Sequence, residues 1–389
     1  MSEWFALAER HLRVGDWALA EEALLRGLET APTVPAAVWY NLGLLRAQRE
    51  DWPGAIAHYQ KALAGNPDLA PAWLGLGIAQ MSEGDFLRAE TSLQRAIALA
   101  DDPAAAWLSL GNLYYLQNRL AEAQKALAQG GDGPATWLNR GNLALAMNQP
   151  QAALAWFERV LTRGPNPEAQ LGRAIAHLTL GDWEQGWADF AARWTARGCP
   201  YTAPPWSGQP LAGQTLLVVC EQGFGDSLQF VRYVRYLPTD GPRILRCPEP
   251  LQPLFARTFP EVLTVGEGEP LPPHDFWVSL LDLPRWFGIS GEVPYLRPPA
   301  EPRLPPSPAP LRLGLVATSG WRAEPYAQRQ YRLKSVPWEV LQPLAQLPGV
   351  QGYSLQKEGE VPTELVDLAP LLTDFAATAA LVQQLRTQT

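Results

Sequence analysis

Three tryptophans, Trp39, Trp73 and Trp107, stand 34 residues apart, and each opens almost the same phrase: WYNLGLL, WLGLGIA, WLSLGNL. In each phrase Leu follows at the third position and Gly at the fourth. A chain that folds around one core has no need of self-similarity at a fixed period. A stack of short helix–turn–helix units does need it, because each unit presents an apolar face that only its neighbour can cover. The period therefore predicts an all-α solenoid over the first half of the chain, and it directs the search for chemistry to the second half.

The pattern extends to both sides. The first unit carries Trp4, Leu7, Ala8, Ala20, Leu24 and Pro32, and the second carries Trp39, Leu42, Gly43, Ala55, Tyr59, Ala62 and Pro67. The third has Trp73, Leu76, Gly77, Ala89, Leu93 and Ala96; the fourth has Trp107, Leu110, Gly111, Tyr114, Ala123 and Leu127, then shortens through GGDG. Trp137, Gly141, Ala153, Phe157 and Pro165 mark a fifth. A degenerate sixth has Gln170 in place of Trp, while its Gly181–Trp183 GDW echoes Gly15–Trp17. The small residues admit close helix approach, the large ones fill the space beside them, and Pro at the unit's end stops the second helix. The set resembles the tetratricopeptide repeat, which implies about six repeats over residues 1–197. A stack of this kind presents a concave groove lined by the first helix of each unit. By register that lining comprises Phe5, Tyr40, Leu44, Leu74, Ile78, Leu108, Asn112, Tyr115, Leu138, Asn142 and Leu145. Asn112 and Asn142 hold the same place in successive units. A carboxamide both donates and accepts, so the pair suits an extended peptide backbone; bonding to neighbouring helices or water is the alternative. Tyr40, Asn112, Tyr115 and Asn142 are the candidate groove residues, and a protein or peptide is the expected partner.

The helical period stops near residue 198. Residues 198–214, rich in Pro, Gly and Trp, read as a linker. Thr215–Cys220 then reads as a buried parallel strand, Gly223–Asp226 (GFGD) as a tight turn in which Gly223 and Gly225 permit a close backbone bend, and Ser227–Leu237 as a helix. Strand, glycine turn and helix open a Rossmann-like unit, whose helix N-terminus suits an anion. Three further strands are expected in PRILRCP, EVLTVG and HDFWVSLLDLP, with a helix over EPLQPLFARTF. Pro298–Pro310 holds seven prolines in thirteen residues and reads as a stiff linker. Beyond it, LRLGLVATSG and VQGYSLQK read as strands, and VPWEVLQPLAQLP and TDFAATAALVQQLRTQT as helices. The expected organisation is a solenoid over 1–197, a linker over 198–214, an α/β lobe over 215–297, a Pro-rich linker over 298–310 and a partial lobe over 311–389.

The ordered motifs EQGFGDSLQFVRYVRYL, PPHDFWVSLLDLP, VPYLRP, LRLGLVATSG, SLQK and TDFAATAAL resemble the C-terminal domain of bacterial tetratricopeptide-repeat glycosyltransferases. That domain is similar to the heptosyltransferases of lipopolysaccharide synthesis. The resemblance implies GT-B architecture, two Rossmann-like lobes, and transfer of a hexosyl or heptosyl group from a nucleotide-sugar to a protein or glycan acceptor. It implies Asp226 as catalytic base, although Asp beside a helix start also serves as a cap. It implies Thr318, Ser319, Arg332 and Lys334 around the donor phosphates, where cations and donors would meet growing negative charge; Arg322 and Arg329 lie in the same basic loop, and a solvated loop is the alternative. No metal or cofactor is implied beyond the nucleotide-sugar co-substrate. The resemblance also implies a further strand, acidic turn and helix after Thr389, so the second lobe reads as C-terminally truncated, two βα units that leave a raw edge. The truncation argues against catalysis and favours a non-catalytic interaction adaptor as the rival reading.

A net charge of −8 argues against a broad nucleic-acid surface. No apolar stretch reaches the ~20 residues of a membrane span. MSEWFALAER lacks the basic and apolar regions of a signal peptide, and three cysteines without metal spacing suit reduced thiols, so a cytoplasmic location is expected.

Overall fold

A computed structural model describes residues 3–289, 293–318, 329 and 333–386. By contacts the chain divides into two units: one of residues 1–172 with 320–333, and one of 173–319 with 334–389. The division falls inside a helix of the sixth repeat rather than near residue 197.

The repeats fold as antiparallel helix pairs. They are α1 (Glu3–Val14) with α2 (Trp17–Thr30), α3 (Ala36–Gln48) with α4 (Trp52–Gly65), α5 (Ala70–Ser82) with α6 (Phe86–Leu99), α7 (Ala104–Leu116) with α8 (Leu120–Gln129), and α9 (Pro134–Ala146) with α10 (Pro150–Leu161). α11 (Pro167–Leu180) and α12 (Trp183–Phe190) follow, then the short α13 (Ala192–Arg197). Each pair is closed by the same device. One or two residues after the first helix the backbone enters the left-handed region, at Gly15, Glu50, Gly84, Asn118, Asn148 and Gly181. The N–H of that residue and the next one bond back to carbonyls of the last turn, as Asn118 does to Tyr115 at 3.0 Å and Arg119 to Tyr114 at 2.8 Å. That pattern satisfies helix-end carbonyls and reverses the chain in two residues.

The repeat glycines are sites of contact. A Cβ on Gly43 would stand 2.5 Å from the Tyr59 ring, on Gly77 2.7 Å from Leu93, on Gly111 2.6 Å from Leu127 and on Gly141 2.6 Å from Phe157. The tryptophans are structural and carry cations. Arg26 lies over Trp4, Lys61 over Trp39 and Arg159 over Trp137, at 5.1, 4.5 and 4.1 Å. Each cation stands 22 residues after its Trp, on the second helix of the same repeat.

The second unit contains two all-parallel sheets. The first joins β1 (Leu216–Val219), β2 (Arg243–Cys247), β3 (Leu263–Gly266) and β4 (Phe276–Ser279) in the order β3-β2-β1-β4. All four residues of β1 are buried, as a strand between two neighbours requires. The second sheet joins β5 (Leu311–Leu315), β6 (Val350–Ser354) and β7 (Val366–Asp367). The sequence predicts two strands here; the two-residue β7 is a third, too short to show a period. The helices are α14 (Phe224–Phe230), α15 (Gln252–Thr258), α16 (Pro284–Phe287), α17 (Trp338–Ala345) and α18 (Phe375–Arg386). α14 begins three residues before the expected Ser227 and passes into 3₁₀ geometry over Val231–Tyr236.

Neither expected linker is a bare connector. Trp206 and Leu211 are 3% and 0% exposed within the first sheet's core, and the Trp206 N–H donates to Trp277 O, pairing this segment with β4. Leu304, in the Pro-rich stretch, packs with Tyr353, Leu368 and Leu381, and its N–H donates to Gln384 Oε1. α18 also packs against α15, with Ala376 in the first sheet's core and Phe375 4.9 Å from Phe224.

Candidate functional site

The first helices of successive repeats touch in a row, α3 to α5 to α7 to α9, each keeping its own second helix outside that row. On α7, Leu108, Asn112 and Tyr115 are half-buried at spacings of four and three, so they share one face. On α9, Leu138, Asn142 and Leu145 repeat that spacing and exposure. Tyr40 and Leu44 lie likewise on α3; Tyr40 rests 6.0 Å from the Tyr59 ring, and burial raises its phenol pKa. Phe5 departs from the register: it is 4% exposed and closes under Gly27, where a Cβ would stand 2.2 Å from its ring. It belongs to the first repeat's interior rather than to the row's open face.

In the second unit the sheet order sets the geometry. β2 and β3 lie to one side of β1, and β4 to the other. The crevice beyond the carboxyl ends of β1 and β4 is therefore a switch point, the place where open parallel sheets hold ligands. The Gly223–Asp226 turn lies there. Gln222, at φ 64°, carries its left-handed conformation. Gly223 is extended at φ −93°, and Gly225 is helical; a Cβ on Gly225 would meet nothing within 4 Å. The glycines thus do not serve the bend expected of them. They leave the backbone bare. Asp226 is the third residue of α14, and its Oδ2 accepts from the Gly223 N–H at 3.2 Å, so its carboxylate caps from inside the first turn rather than from the N-cap position.

Beside it lies a network that no sequence motif marks. Arg193 from α13 is 1% exposed and lies between Glu221, just after β1, and Asp282, just after β4. Its Nη2 is 2.6 Å from Glu221 Oε1 and 2.8 Å from Asp282 Oδ1, and Nη1 donates to Phe190 O at 2.9 Å. Burial pulls the guanidinium pKa down, and the two carboxylates more than offset it, so the pKa rises. Ser279 Oγ donates to Glu221 Oε1 and accepts from Leu281 N–H at 3.1 Å. One cation thus bridges two carboxylates that follow different strands. A cavity of about 360 Å³ adjoins Asp282, walled by the indoles of Trp187, Trp194, Trp206, Trp277 and Trp286. The signal available in sequence was Glu221 and Asp282, each placed just after a strand end.

Of the expected phosphate-binding residues, Thr318 follows β5, and its N–H donates to Gln356 Oε1 at 3.0 Å. Lys334 is exposed. Ser319 and Arg332 lie outside the described residues. Arg329, from the same basic loop, groups with the first unit and bonds to Tyr115 and Asn118 there. Among the described residues no cluster of His, Cys, Asp and Glu has metal-holding geometry, and no helix is long and apolar enough to cross a membrane.

The tetratricopeptide-repeat model matches residues 5–70, 74–134 and 138–198. Residues 5–198 are tetratricopeptide repeats. Among solved structures, the chain is similar to PilW, a type IV pilus biogenesis factor, at 18% identity and TM-score 0.45 over 51% of this chain and 93% of that one. A tetratricopeptide repeat protein from Parabacteroides merdae gives 18% identity and TM-score 0.42 over 51% and 80%. Protein FlbA of Caulobacter vibrioides is 30% identical over 247 residues, 54% of this chain. The match spans 41% of that protein's length.

Proposed function

We propose that this chain is a protein-interaction scaffold that takes an extended peptide along the row of first helices, with the Asn112 and Asn142 carboxamides gripping the peptide backbone. The observation that carries the reading is the repetition of one face on α7 and α9, with a half-buried Asn at the same place in each. Packing requires a small residue at Gly111 and Gly141, but it makes no such demand for Asn one position later. The test is selection from a peptide display library on the full chain and on the Asn112→Ala/Asn142→Ala variant. Sequences enriched on the native chain and lost on the variant support the reading; the same enrichment on both overturns it.

A second reading, glycosyl transfer by the α/β unit, is favoured by one specific observation: the bare glycine turn beside Asp226 at the switch point. On that reading Asp226 takes the acceptor's proton, Gly223 and Gly225 let a ligand approach the backbone, and Thr318, Ser319 and Lys334 meet the donor's diphosphate. The flat apolar faces of the indole-walled cavity suit a pyranose ring. Calorimetric titration with UDP-, GDP- and ADP-sugars tests it. Micromolar binding that is lost in Gly225→Val, with the fold unchanged, supports transfer, and no heat with any donor leaves the scaffold reading alone.

A further inference from the structure

At the edge of the groove face, Tyr115 holds a cation whose role neither reading above explains. Arg329 groups with the first unit by its contacts and is 6% exposed. Its guanidinium carbon lies 4.5 Å from the centre of the Tyr115 ring. Nε donates to the Tyr115 carbonyl at 3.0 Å, and Nη2 donates to Asn118 Oδ1 at 3.3 Å. Three features of different chemistry meet on this one cation. The ring face attracts it through the aromatic quadrupole. The Tyr115 carbonyl belongs to the last turn of α7, where helix carbonyls carry partial negative charge. The Asn118 carboxamide adds a neutral acceptor, held in place by a left-handed backbone at φ 61°.

Comparison of the six equivalent turns shows that folding does not require this combination. The carbonyls that close them belong to Leu12, Ala47, Met81, Tyr115, Leu145 and Leu178, and the left-handed residues are Gly15, Glu50, Gly84, Asn118, Asn148 and Gly181. Leu with Gly closes the first and sixth turns, and Leu with Asn the fifth. Only the fourth joins an aromatic ring to a carboxamide acceptor. Tyr115 also lies three residues after Asn112, on the face to which the scaffold reading assigns the partner.

We infer that Tyr115 and Asn118 form an arginine-binding site for a partner peptide, and that Arg329 is the chain's own occupant, which the partner's arginine displaces. The planar guanidinium is specified over an ammonium, because it stacks on the ring while its N–H groups reach two acceptors at once. The inference rests on the scaffold reading for its partner. It adds to that reading the partner's chemistry, an exposed arginine, and a built-in competitor whose tethering makes it effective at roughly millimolar concentration.

The test is fluorescence anisotropy with a labelled synthetic peptide spanning residues 324–334, added to the full chain. Arg329→Ala is expected to bind the peptide at least tenfold more tightly than the native chain. In that background, Asn118→Gly keeps the left-handed turn and removes only the amide; with Tyr115→Ala it is expected to weaken binding about tenfold. A peptide with Lys at the position of Arg329 is expected to bind at least tenfold more weakly. Equal affinity for native and Arg329→Ala chains, indifference to the peptide's arginine, or no binding to Arg329→Ala each overturns the inference. Adding Asn112→Ala/Asn142→Ala separates the two claims. Binding that follows Tyr115 and Asn118 but ignores the asparagine pair keeps the arginine site and overturns the backbone clamp. Binding that follows the pair but ignores arginine does the reverse.

Discussion

Gly141 sets how near α9 can lie to α10, because the Phe157 ring fills the space a side chain would need. Alanine there would meet overpacking of about 1–3 kcal/mol, partly offset by about 1 kcal/mol of better helix propensity. Valine keeps the clash and loses most of the offset, so Gly141→Val is expected to destabilise by about 2–3 kcal/mol in urea unfolding. Gly225→Ala, in open space on a helix, is expected to be neutral or to stabilise by up to about 1 kcal/mol. The first of these glycines was legible from the 34-residue beat. Arg193 was not: burial of a guanidinium between two carboxylates that follow different strands leaves no period in the sequence. Arg193→Ala would leave Glu221 and Asp282 without their cation, and a loss of about 3–5 kcal/mol is expected. A change under 1 kcal/mol in the same urea experiment would contradict the account of that network.

At the scale of the element, the six turns share one backbone device but differ in their caps. Asp16, Asp51, Asp85 and Asp182 each accept from the N–H three residues on, at 3.3, 3.0, 3.2 and 3.4 Å. Arg119 and Gln149 hold the same position without a side-chain cap. Arg119 instead pairs with Glu90 at 2.7 Å and Glu122 at 3.0 Å. Gln149→Asp is therefore expected to stabilise the stack by about 1 kcal/mol, read as a raised unfolding midpoint, and Asp51→Ala to lose a similar amount. The helix pairs were legible because Trp, Gly and Ala recur at set places. A cation 22 residues after the Trp is present in four of the first five repeats, at Arg26, Lys61, Arg95 and Arg159, whereas the fourth has Gln129; side chains on different helices share no helical period, so the pairing leaves no periodic signal. In the α/β unit the buried strands were legible as short apolar runs. The start of α14 was not, since the left-handed residue is Gln222 rather than a glycine, and β7 was too brief to stand out.

For the whole molecule, the three thiols give a check that spans the α/β unit. Cys199 is exposed, whereas Cys220 and Cys247 are buried. Burial pushes the Cys247 thiol up to about 12 from an ordinary 9.0, with Glu267 adding to it, and burial raises Cys220 as well. A thiol reagent at pH 8 is expected to modify one cysteine of the folded chain and all three in urea. Because the unfolded chain releases these protons first, this part of the stability is complete below pH 9 and declines as pH rises toward 12. The N-terminal half is a stack of tetratricopeptide repeats, and that architecture was the most legible property of the sequence. On the proposed reading, what the repeats hold depends on half-buried polar residues that packing does not demand. Titration calorimetry of a display-selected peptide against the full chain and against Asn112→Ala/Asn142→Ala tests this most directly. Two lost hydrogen bonds at about 0.5–1.5 kcal/mol each predict affinity weakened roughly tenfold, with the thermal midpoint unchanged; equal affinity for both proteins would contradict the account.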